Sequence, residues 1–339
     1  MRVSAVTLKD VAQQAGVHPA TASRALNLET RLLVSEQTAR RVLAAAAELG
    51  YQPNTVARSL RTRRSHTIGV LIPDLTNPLF PPIVRGLADG LESHGYVALI
   101  GNTDGDDARG RRVFEQMGAR HVDGYVLATA HLEDPLLDDA ARSGVPVVLM
   151  NRIAGDSFPS VTVDNEAGVR LAVQHLVALG HRDIACIAGP LDVSTGLARY
   201  RGFRSAMTDA GLEMPEERLA LARSFSIDEG YRCARQILAA RDGCTAVAAG
   251  NDMLAVGCYR ALDEAGLSCP GDMSVVGFND MPFIDMLRPP LTTVTFSHHE
   301  VGAQAADLLI ERLNGSTGPA KIVYVVPELI VRGSTARRP

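Results

Sequence analysis

The chain has 339 residues, which is long enough for two or three domains. Hydrophobic residues make up 46% of it and charged residues 21%, so a large core is possible and a fully disordered chain is excluded. No apolar segment reaches the length of a membrane helix, and the N-terminus lacks the apolar core of a signal peptide. The five cysteines are scattered without a Cys-x-x-Cys pair, which argues against a zinc site and a disulfide framework. We therefore expect a cytoplasmic protein that makes no membrane contact.

Charge is unevenly distributed along the chain. The overall net charge is −4 at pH 7, yet residues 1–64 hold ten Arg and Lys residues against four Asp and Glu residues, a net charge of +6. The remaining residues therefore carry −10. A small basic segment attached to a larger acidic body is typical of a nucleic-acid-binding domain fused to a second domain, although a basic terminus can also be an ordinary solvated surface.

Residues 1–53, here called the head, are predicted to form three helices. Thr7 can cap the first helix with its hydroxyl. Pro19 suits the first position of a second helix over residues 19–27, and a third helix is predicted over residues 35–50. A short helix, a tight turn, a second short helix and a supporting helix form the helix-turn-helix of many DNA-binding proteins. A small helical bundle that binds another protein is the alternative.

Residues 54–65, here called the hinge segment, are strongly basic. Four arginines surround one large apolar side chain, Leu60. A helix of about two turns is too short to be stable alone in water. Arginines at this spacing can bind phosphates while Leu60 is inserted between base steps of the minor groove. A flexible basic linker is the alternative interpretation.

From residue 66 onward, short apolar segments alternate with amphipathic helices, the first of which is predicted over residues 79–94. Strands are predicted at residues 68–73, 96–101, 124–128, 145–150, 184–188, 245–250 and 274–278. This alternation predicts an α/β fold with parallel sheets covered by helices on both faces, and the length suffices for two such sheets. Ligands of open parallel sheets bind beyond the carboxyl ends of the strands, so two facing lobes would form a ligand cleft.

An ordered set of residues along almost the whole chain resembles a known family. In the head the matching residues are Thr7-Leu8-Lys9-Asp10-Val11-Ala12, Ala15-Gly16-Val17, Thr21, Ser23-Arg24, Leu26-Asn27, Val34-Ser35 and Thr38. The match continues through Gly50-Tyr51, Pro53-Asn54, Ala57-Arg58-Ser59-Leu60 and finally Glu328-Leu329-Ile330-Val331-Arg332-Gly333-Ser334-Thr335. With this set the sequence resembles the LacI/GalR family of bacterial transcription regulators.

The resemblance implies a helix-turn-helix headpiece followed by a two-lobed effector domain similar to periplasmic binding proteins. The implied boundaries are 1–53 for the headpiece, 54–65 for the hinge, and 66–335 for the effector-binding and dimerisation domain. The chain would cross between the lobes near residues 164, 294 and 323. The N-lobe would then comprise about 66–164 and 295–323, and the C-lobe about 165–294 and 324–335.

The resemblance also implies a small-molecule site between the lobes. Arg199 matches the effector-binding arginine of the family, whose guanidinium can hold vicinal hydroxyls or a carboxylate through paired hydrogen bonds. Two phenylalanines match positions whose aromatic rings stack on the ligand ring. The implied effector-binding residues are Leu79, Phe80, Asn151, Thr195, Arg199, Phe225, Asn251, Asn279 and His298.

The same resemblance implies which residues contact DNA. Pro19 and Ala20 lie at the principal base-reading positions and offer no hydrogen-bond donor. Direct readout is therefore expected to depend on Arg24 and on apolar contact with thymine methyl groups. The implied DNA-binding residues are Thr7, His18, Pro19, Ala20, Thr21, Ser23, Arg24, Asn27, Tyr51, Asn54, Ala57, Arg58 and Leu60.

Four positions depart from the family pattern. Sugar-binding members commonly have Asp where this chain has Asn279, and often where it has Asn151. An amide both donates and accepts, so the hydrogen-bond pattern of the ligand should differ. Val193 lies where a purine-binding relative has a ligand-contacting arginine, which argues against a purine base. His18 replaces the serine that usually caps the recognition helix.

The candidate site residues also have purely structural interpretations. The two aromatics can belong to the core, Asn251 and Asn279 can cap the helices that follow them, and Arg199 can be an ordinary ion-pairing residue. The acidic run at residues 104–107 is interpreted as a solvated loop. The histidine pair at 298–299 lacks further ligands at the spacing of a metal site.

Together these features predict a repressor that binds a pseudo-palindromic operator in double-stranded DNA as a homodimer and responds to a small-molecule effector, with a sugar or sugar derivative favoured. The sequence has no nucleophile elbow, phosphate-binding loop, dinucleotide-binding fingerprint or zinc-protease motif, so we expect no catalysis, no cofactor and no metal. A ligand-binding protein or an enzyme built on the same lobes, without operator binding, is the alternative. A transport protein would need a signal peptide and would not need the basic head.

Overall fold

The computed structural model describes residues 6–27, 30–51, 64–240 and 243–338. The chain divides into two compact units, a small one up to Ser65 and a large one from His66 onward. Within the described ranges, no helix is both long enough and apolar enough to cross a membrane. All five cysteines are free thiols.

The small unit is built from three helices, α1 (Leu8–Gln14), α2 (Pro19–Leu26) and α3 (Glu36–Leu49). Thr7 and Asp10 form a reciprocal capping box at the start of α1, in which the backbone N–H of Thr7 donates to Oδ2 of Asp10 across 2.8 Å. The helices enclose a small core made mostly of alanine and valine side chains. The predicted helix-turn-helix is therefore confirmed.

The first sheet of the large unit has six strands that all run parallel. Its spatial order is β11-β5-β4-β3-β1-β2. In chain order the strands are β1 (Thr67–Ile72), β2 (Val97–Asn102), β3 (Gly124–Leu127), β4 (Val147–Met150), β5 (Ser160–Val163) and β11 (Ile322–Val325). The sheet with its helices is called the N-lobe.

The second sheet also has six strands, which in chain order are β6 (Ile184–Ala188), β7 (Leu219–Leu221), β8 (Ala246–Ala249), β9 (Ser274–Phe278), β10 (Thr292–Thr295) and β12 (Glu328–Ile330). Their spatial order is β12-β10-β9-β8-β6-β7, and only β12 runs antiparallel to its neighbour. This sheet with its helices is called the C-lobe. The predicted fold of two parallel α/β lobes is confirmed.

Helices cover both sheets. Those of the N-lobe are α4 (Phe80–Ser93), α5 (Asp107–Gly118), α6 (Pro135–Ser143) and α11 (His298–Leu313). Those of the C-lobe are α7 (Asn165–Ala178), α8 (Ser194–Asp209), α9 (Ile227–Ala240) and α10 (Asp252–Glu264). The helices α4 and α11 pack closely because Gly86 has no side chain: a Cβ atom there would lie 2.0 Å from the carbonyl oxygen of His299.

The chain passes between the two lobes at three places. It leaves the first sheet after β5 and enters the C-lobe at the start of α7, returns after β10 to begin α11, and passes once more between β11 and β12. The loops that follow β4, β8 and β9 all start at the carboxyl ends of parallel strands. This connectivity brings loops that are distant in the sequence to one cleft.

Candidate functional site

A cavity of about 880 Å³ lies in the large unit, at the carboxyl ends of the strands of both lobes. Its volume is that of a small-molecule site. It is lined by eight of the nine residues predicted to bind an effector, and these are Leu79, Phe80, Asn151, Thr195, Arg199, Phe225, Asn251 and Asn279. Leu79 and Asn279, two hundred positions apart in the sequence, therefore line the same cavity.

Arg199 makes three side-chain hydrogen bonds in the cavity wall, and only 4% of its surface is exposed. Its Nε donates to Oδ1 of Asn165 across 2.7 Å, its Nη1 to the carbonyl oxygen of Gly250 across 2.6 Å, and its Nη2 to Oδ1 of Asn279 across 3.1 Å. The guanidinium carbon lies 3.7 Å from the ring centroid of Phe278. Arg199 thus joins the start of α7 to the loops that follow β8 and β9.

Burial acts against the positive charge of Arg199. Burial, with a smaller contribution from the positive charge of Arg152, lowers the pKa of Arg199 to about 9. Asp252 opposes this effect, and burial raises the pKa of Asp252 to about 7. Its carboxyl group accepts hydrogen bonds from the hydroxyl of Thr293 at 2.6 Å and from the backbone N–H of Met281 at 2.8 Å. Asp252 carries no sequence signal of a site residue, because its importance depends on its burial.

Arg152 also lines the cavity, although it is not among the residues predicted to bind an effector. Its Nη1 donates to the carbonyl oxygen of Asn151 across 2.7 Å and contacts Oγ1 of Thr195 at 3.4 Å. Among the described residues, neither its buried Nε nor the buried Oδ1 of Asn151 has a hydrogen-bond partner. Burial lowers the pKa of Arg152 to about 10. A buried donor and a buried acceptor left unpaired beside a cavity are groups that a ligand can satisfy.

Aromatic and aliphatic side chains form the apolar part of the cavity wall. Phe80 and Leu79 are buried at the start of α4. Phe225 is half-buried and lies against Gly189, where a Cβ atom would be 2.2 Å from the ring. The absence of a side chain at Gly189 therefore allows the ring of Phe225 to reach the cavity.

The two asparagines have different local roles. Asn251 caps α10, since its Oδ1 accepts a hydrogen bond from the backbone N–H of Leu254 at 2.9 Å. The sequence offers this capping role as the structural interpretation of Asn251. Asn279 caps no helix and has a positive φ of 115°. Its side chain instead holds Arg199. Both asparagines line the cavity.

His298, which is also predicted to contact the effector, is not among the residues that line the cavity, and its contact with an effector stays a prediction. Its Nε2 lies 2.6 Å from the carbonyl oxygen of Asn279, and its ring packs edge-on against Phe296. Burial lowers the pKa of His298. His298 therefore contacts the backbone of Asn279, a residue that lines the cavity.

Polar groups from both lobes meet at the mouth of the cavity. The backbone N–H of Leu132, in the N-lobe, donates to the carbonyl oxygen of Asp192, in the C-lobe, across 2.9 Å. His131 lies 3.2 Å from the carboxylate of Asp192 and 3.5 Å from that of Asp107. The acidic run at residues 104–107 is exposed, as predicted for a solvated loop, and it also lines this mouth.

In the head, the candidate DNA-binding residues lie mainly on one exposed side of α2. His18, Ala20 and Arg24 are exposed, whereas Ala22 and Ala25 of the same helix are buried in the core. His18 caps the helix, because its Nδ1 accepts a hydrogen bond from the backbone N–H of Ala20 at 3.2 Å. The predicted contacts Pro19, Thr21, Ser23 and Asn27 are partly exposed on the same segment.

Two further candidates of the head have structural contacts. Thr7 belongs to the capping box of α1, and Tyr51 packs against the core of the head. The remaining predicted DNA contacts lie outside the described residues, and these are Asn54, Ala57, Arg58 and Leu60.

Two family models match the chain. Residues 7–54 match the model described as bacterial regulatory proteins, lacI family, and residues 173–335 match the periplasmic binding protein-like domain. The ribose operon repressor of Escherichia coli (strain K12) is 38% identical over 330 residues, which cover 97% of this chain and 99% of that protein.

Solved structures agree with this similarity. The lac repressor dimer bound to operator and the anti-inducer ONPF superposes with a TM-score of 0.84 at 29% identity, covering 98% of this chain and 100% of that one. A LacI family transcriptional regulator from Enterococcus faecium with bound ribose gives a TM-score of 0.70 at 30% identity, covering 80% of this chain and 100% of that one. The similarity therefore extends from the head through both lobes, and this chain belongs to the LacI family of bacterial DNA-binding transcriptional regulators.

Proposed function

We propose that this protein represses transcription by binding a pseudo-palindromic operator as a homodimer, and that an effector of sugar size bound in the cavity controls its DNA affinity. One observation carries the proposal: the same chain has an exposed surface on α2 and a small-molecule cavity. In that cavity, the buried Arg199 contacts the start of α7 and the loops at the carboxyl ends of the C-lobe strands.

The small side chains of α2 support the DNA-binding part of the proposal. Exposed Ala20 and partly exposed Ser23 allow the helix backbone to approach the floor of a major groove closely. Arg24 is exposed at the last turn and can donate two hydrogen bonds to a guanine. In a dimer, two such helices would contact successive major grooves about one helical turn apart.

The cavity supports the effector part. Its wall combines apolar residues with a few buried polar groups, which is the usual composition of a small-molecule site. Relatives named as ribose repressors or solved with ribose make a sugar the favoured effector class. We propose that the ligand is bound and released without chemical change, and that the protein acts in the cytoplasm, where bacterial DNA lies.

The switch is proposed to depend on the relative position of the two lobes. A ligand that contacts Arg199 from the C-lobe and Phe80 from the N-lobe favours one lobe arrangement over others. From the sequence, the hinge segment is expected to order on the operator with Leu60 inserted at its centre. A coupling free energy of about 1–3 kcal/mol between ligand and operator suffices to change DNA occupancy substantially.

A binding-site selection experiment tests this function. Duplexes selected from a random pool by the full-length protein should share a pseudo-palindrome, and fluorescence anisotropy should then give the operator Kd. We expect Arg24→Ala to weaken binding at least tenfold and Leu60→Ala to weaken operator binding without changing ligand affinity. Arg142→Ala, at an exposed position of α6, is the control. If the selected duplexes share no common sequence, the proposed regulator function is contradicted, and a ligand-binding protein or an enzyme is favoured.

A further inference from the structure

Two buried guanidinium groups line the same cavity, and their charges repel each other. Arg152 and Arg199 are 7% and 4% exposed, and the positive charge of Arg152 is one of the causes that lower the pKa of Arg199. Burying two cations in one cavity wall costs free energy unless a negative charge lies nearby.

The hydrogen-bond partners of both arginines are neutral. Arg199 donates to two asparagine side chains and one backbone carbonyl, and Arg152 contacts one backbone carbonyl and one threonine hydroxyl. Within the described ranges, neither arginine forms an ion pair with a carboxylate. Two of the lining residues near them, Asn151 and Asn279, are amides and carry no charge.

Unused donors remain on both guanidinium groups. A guanidinium has five N–H groups, and Arg199 uses three of them in the bonds described above. One N–H on each terminal nitrogen can therefore be donated to a ligand, which suits the two oxygens of a carboxylate or phosphate. Arg152 adds a buried Nε with no partner among the described residues.

The carboxylates nearest to these arginines compensate only in part. Asp252 lies behind the wall and already accepts hydrogen bonds from Thr293 and Met281. Asp192 raises the pKa of Arg152, but its side chain is 67% exposed and lies beside His131. Solvent therefore screens much of the charge of Asp192.

The other carboxylates that line the cavity are at its mouth, and each has a local partner. Asp74 accepts hydrogen bonds from Thr76, and Asp134 accepts from the backbone N–H of Leu136. The acidic run at residues 104–107 contains Asp104, which pairs with Arg109, Asp106, which caps α5, and Asp107, which faces His131. The lining carboxylates are thus exposed or partly exposed at the rim, together with the exposed Arg111 and Arg223, whereas Arg152 and Arg199 are buried in the wall of the cavity.

We propose that the cavity binds an anionic effector, a sugar-sized polyhydroxylated molecule whose carboxylate or phosphate group pairs with Arg152 and Arg199. The inference rests on the proposed function, because it specifies the ligand of the same cleft. Phe80 and Phe225 would contact the carbon skeleton, and the asparagines would bind its hydroxyl groups.

Titration calorimetry of the full-length protein with three probes tests the proposal. D-ribose is the neutral probe, D-ribonate carries a carboxylate and D-ribose 5-phosphate carries a phosphate. At least one anionic probe should bind 30-fold or more tightly than ribose, and the better of the two identifies the anionic group. Inorganic phosphate, compared with chloride at equal ionic strength, should raise the Tm of the full-length protein.

Variants then locate the effect. Arg152→Met should reduce affinity for the preferred anion at least tenfold and for ribose less than threefold, whereas Arg142→Met on the surface should change neither. The double change Asn151→Asp and Asn279→Asp places two carboxylates beside the arginines, so it should lower the ratio of anion affinity to ribose affinity at least tenfold. Aspartate tolerates the left-handed backbone of Asn151 as asparagine does, and Tm values of all variants check folding.

Two results would overturn the anion proposal. One is ribose binding within threefold of both anions, with the double variant unchanged. The other is no binding of any probe together with no effect of phosphate on Tm. If ribose binds and alters operator affinity, the proposal of an anionic effector is contradicted but the proposed regulator function stands. If no operator can be selected, the proposed regulator function itself is contradicted.

Discussion

Nε of Arg199 donates a hydrogen bond to Oδ1 of Asn165 across 2.7 Å, and this bond joins the cavity to a segment where the chain passes between the lobes. Asn165 begins α7 directly after β5, and its Nδ2 donates back to the carbonyl oxygen of Val163 across 2.9 Å. A ligand that shifts the guanidinium therefore acts on the connection between the two sheets. Connections of this kind absorb the backbone changes of lobe closure.

Asn165→Ala should weaken the coupling between effector and operator more than it weakens effector binding. The substitution leaves the buried Nε of Arg199 without its acceptor, at a cost of about 1–3 kcal/mol in the free energy of unfolding. Calorimetry gives the effector Kd, and anisotropy gives the operator Kd with and without effector. Asn314→Ala, at an exposed position after α11, is the control. An unchanged ratio of the two operator Kd values would contradict the role given to Asn165.

Arg199→Lys retains a positive charge but loses the planar arrangement of donors. Lysine cannot reach Asn165, Gly250 and Asn279 together, so we expect the effector Kd to rise at least tenfold and the Tm to fall. Calorimetry and differential scanning calorimetry measure the two effects. An effector Kd within twofold of the parent would show that Arg199 supports the fold and takes no part in binding.

Asp252 is expected to make stability depend on pH. Burial raises its pKa in the folded protein from 3.8 to about 7, so the folded chain keeps this proton over a range in which the unfolded chain has lost it. The contribution of Asp252 to the free energy of unfolding is therefore largest below pH 4 and falls as pH rises toward 7. At about 1.4 kcal/mol per pKa unit, the total change is on the order of 4 kcal/mol.

Urea unfolding between pH 4 and 8 measures this dependence. Asp252→Asn should remove most of the downward slope between pH 4 and 7, while Asp263→Asn, at an exposed position of α10, should leave it unchanged. The same slope in the parent and in Asp252→Asn would mean that Asp252 stays ionised throughout this range.

Gly86→Ala tests the close packing of α4 on α11. The new Cβ would lie 2.0 Å from the carbonyl oxygen of His299, which is backbone and cannot rotate away. We expect the free energy of unfolding to fall by about 2–3 kcal/mol, more than the helix preference of alanine can offset. Gly318→Ala meets no atom within 4 Å and should be close to neutral. Equal stability of the two variants would contradict this packing.

The longer buried strands could be predicted from the sequence, and the shortest ones could not. The runs that form β1, β6 and β9 are apolar and bounded by turn residues, so they indicate strands directly. In contrast, β7 and β12 have three residues each, and β10 is Thr-Thr-Val-Thr. Such segments become strands because a neighbouring strand pairs with them, which a local pattern does not reveal.

The site was predictable where a residue type matched a motif and unpredictable where burial decided the role. Arg199 and Asn279 were expected at the site, and the structure brings them together. Arg152 was overlooked because an arginine after a strand is ordinarily exposed, and its burial depends on packing against Thr195 of the other lobe. His298 is predicted to contact the effector, and in the structure its Nε2 lies beside the carbonyl oxygen of the lining residue Asn279.

The central claim is that occupancy of the cavity sets operator affinity. The most direct measurement is the anisotropy-derived operator Kd of the full-length protein on its selected duplex, with and without saturating effector, where saturation is established by calorimetry. We predict that saturating effector changes the operator Kd tenfold or more for the parent and less than twofold for Arg199→Lys at the same effector concentration. An operator Kd that stays the same when the cavity is shown to be filled would contradict it.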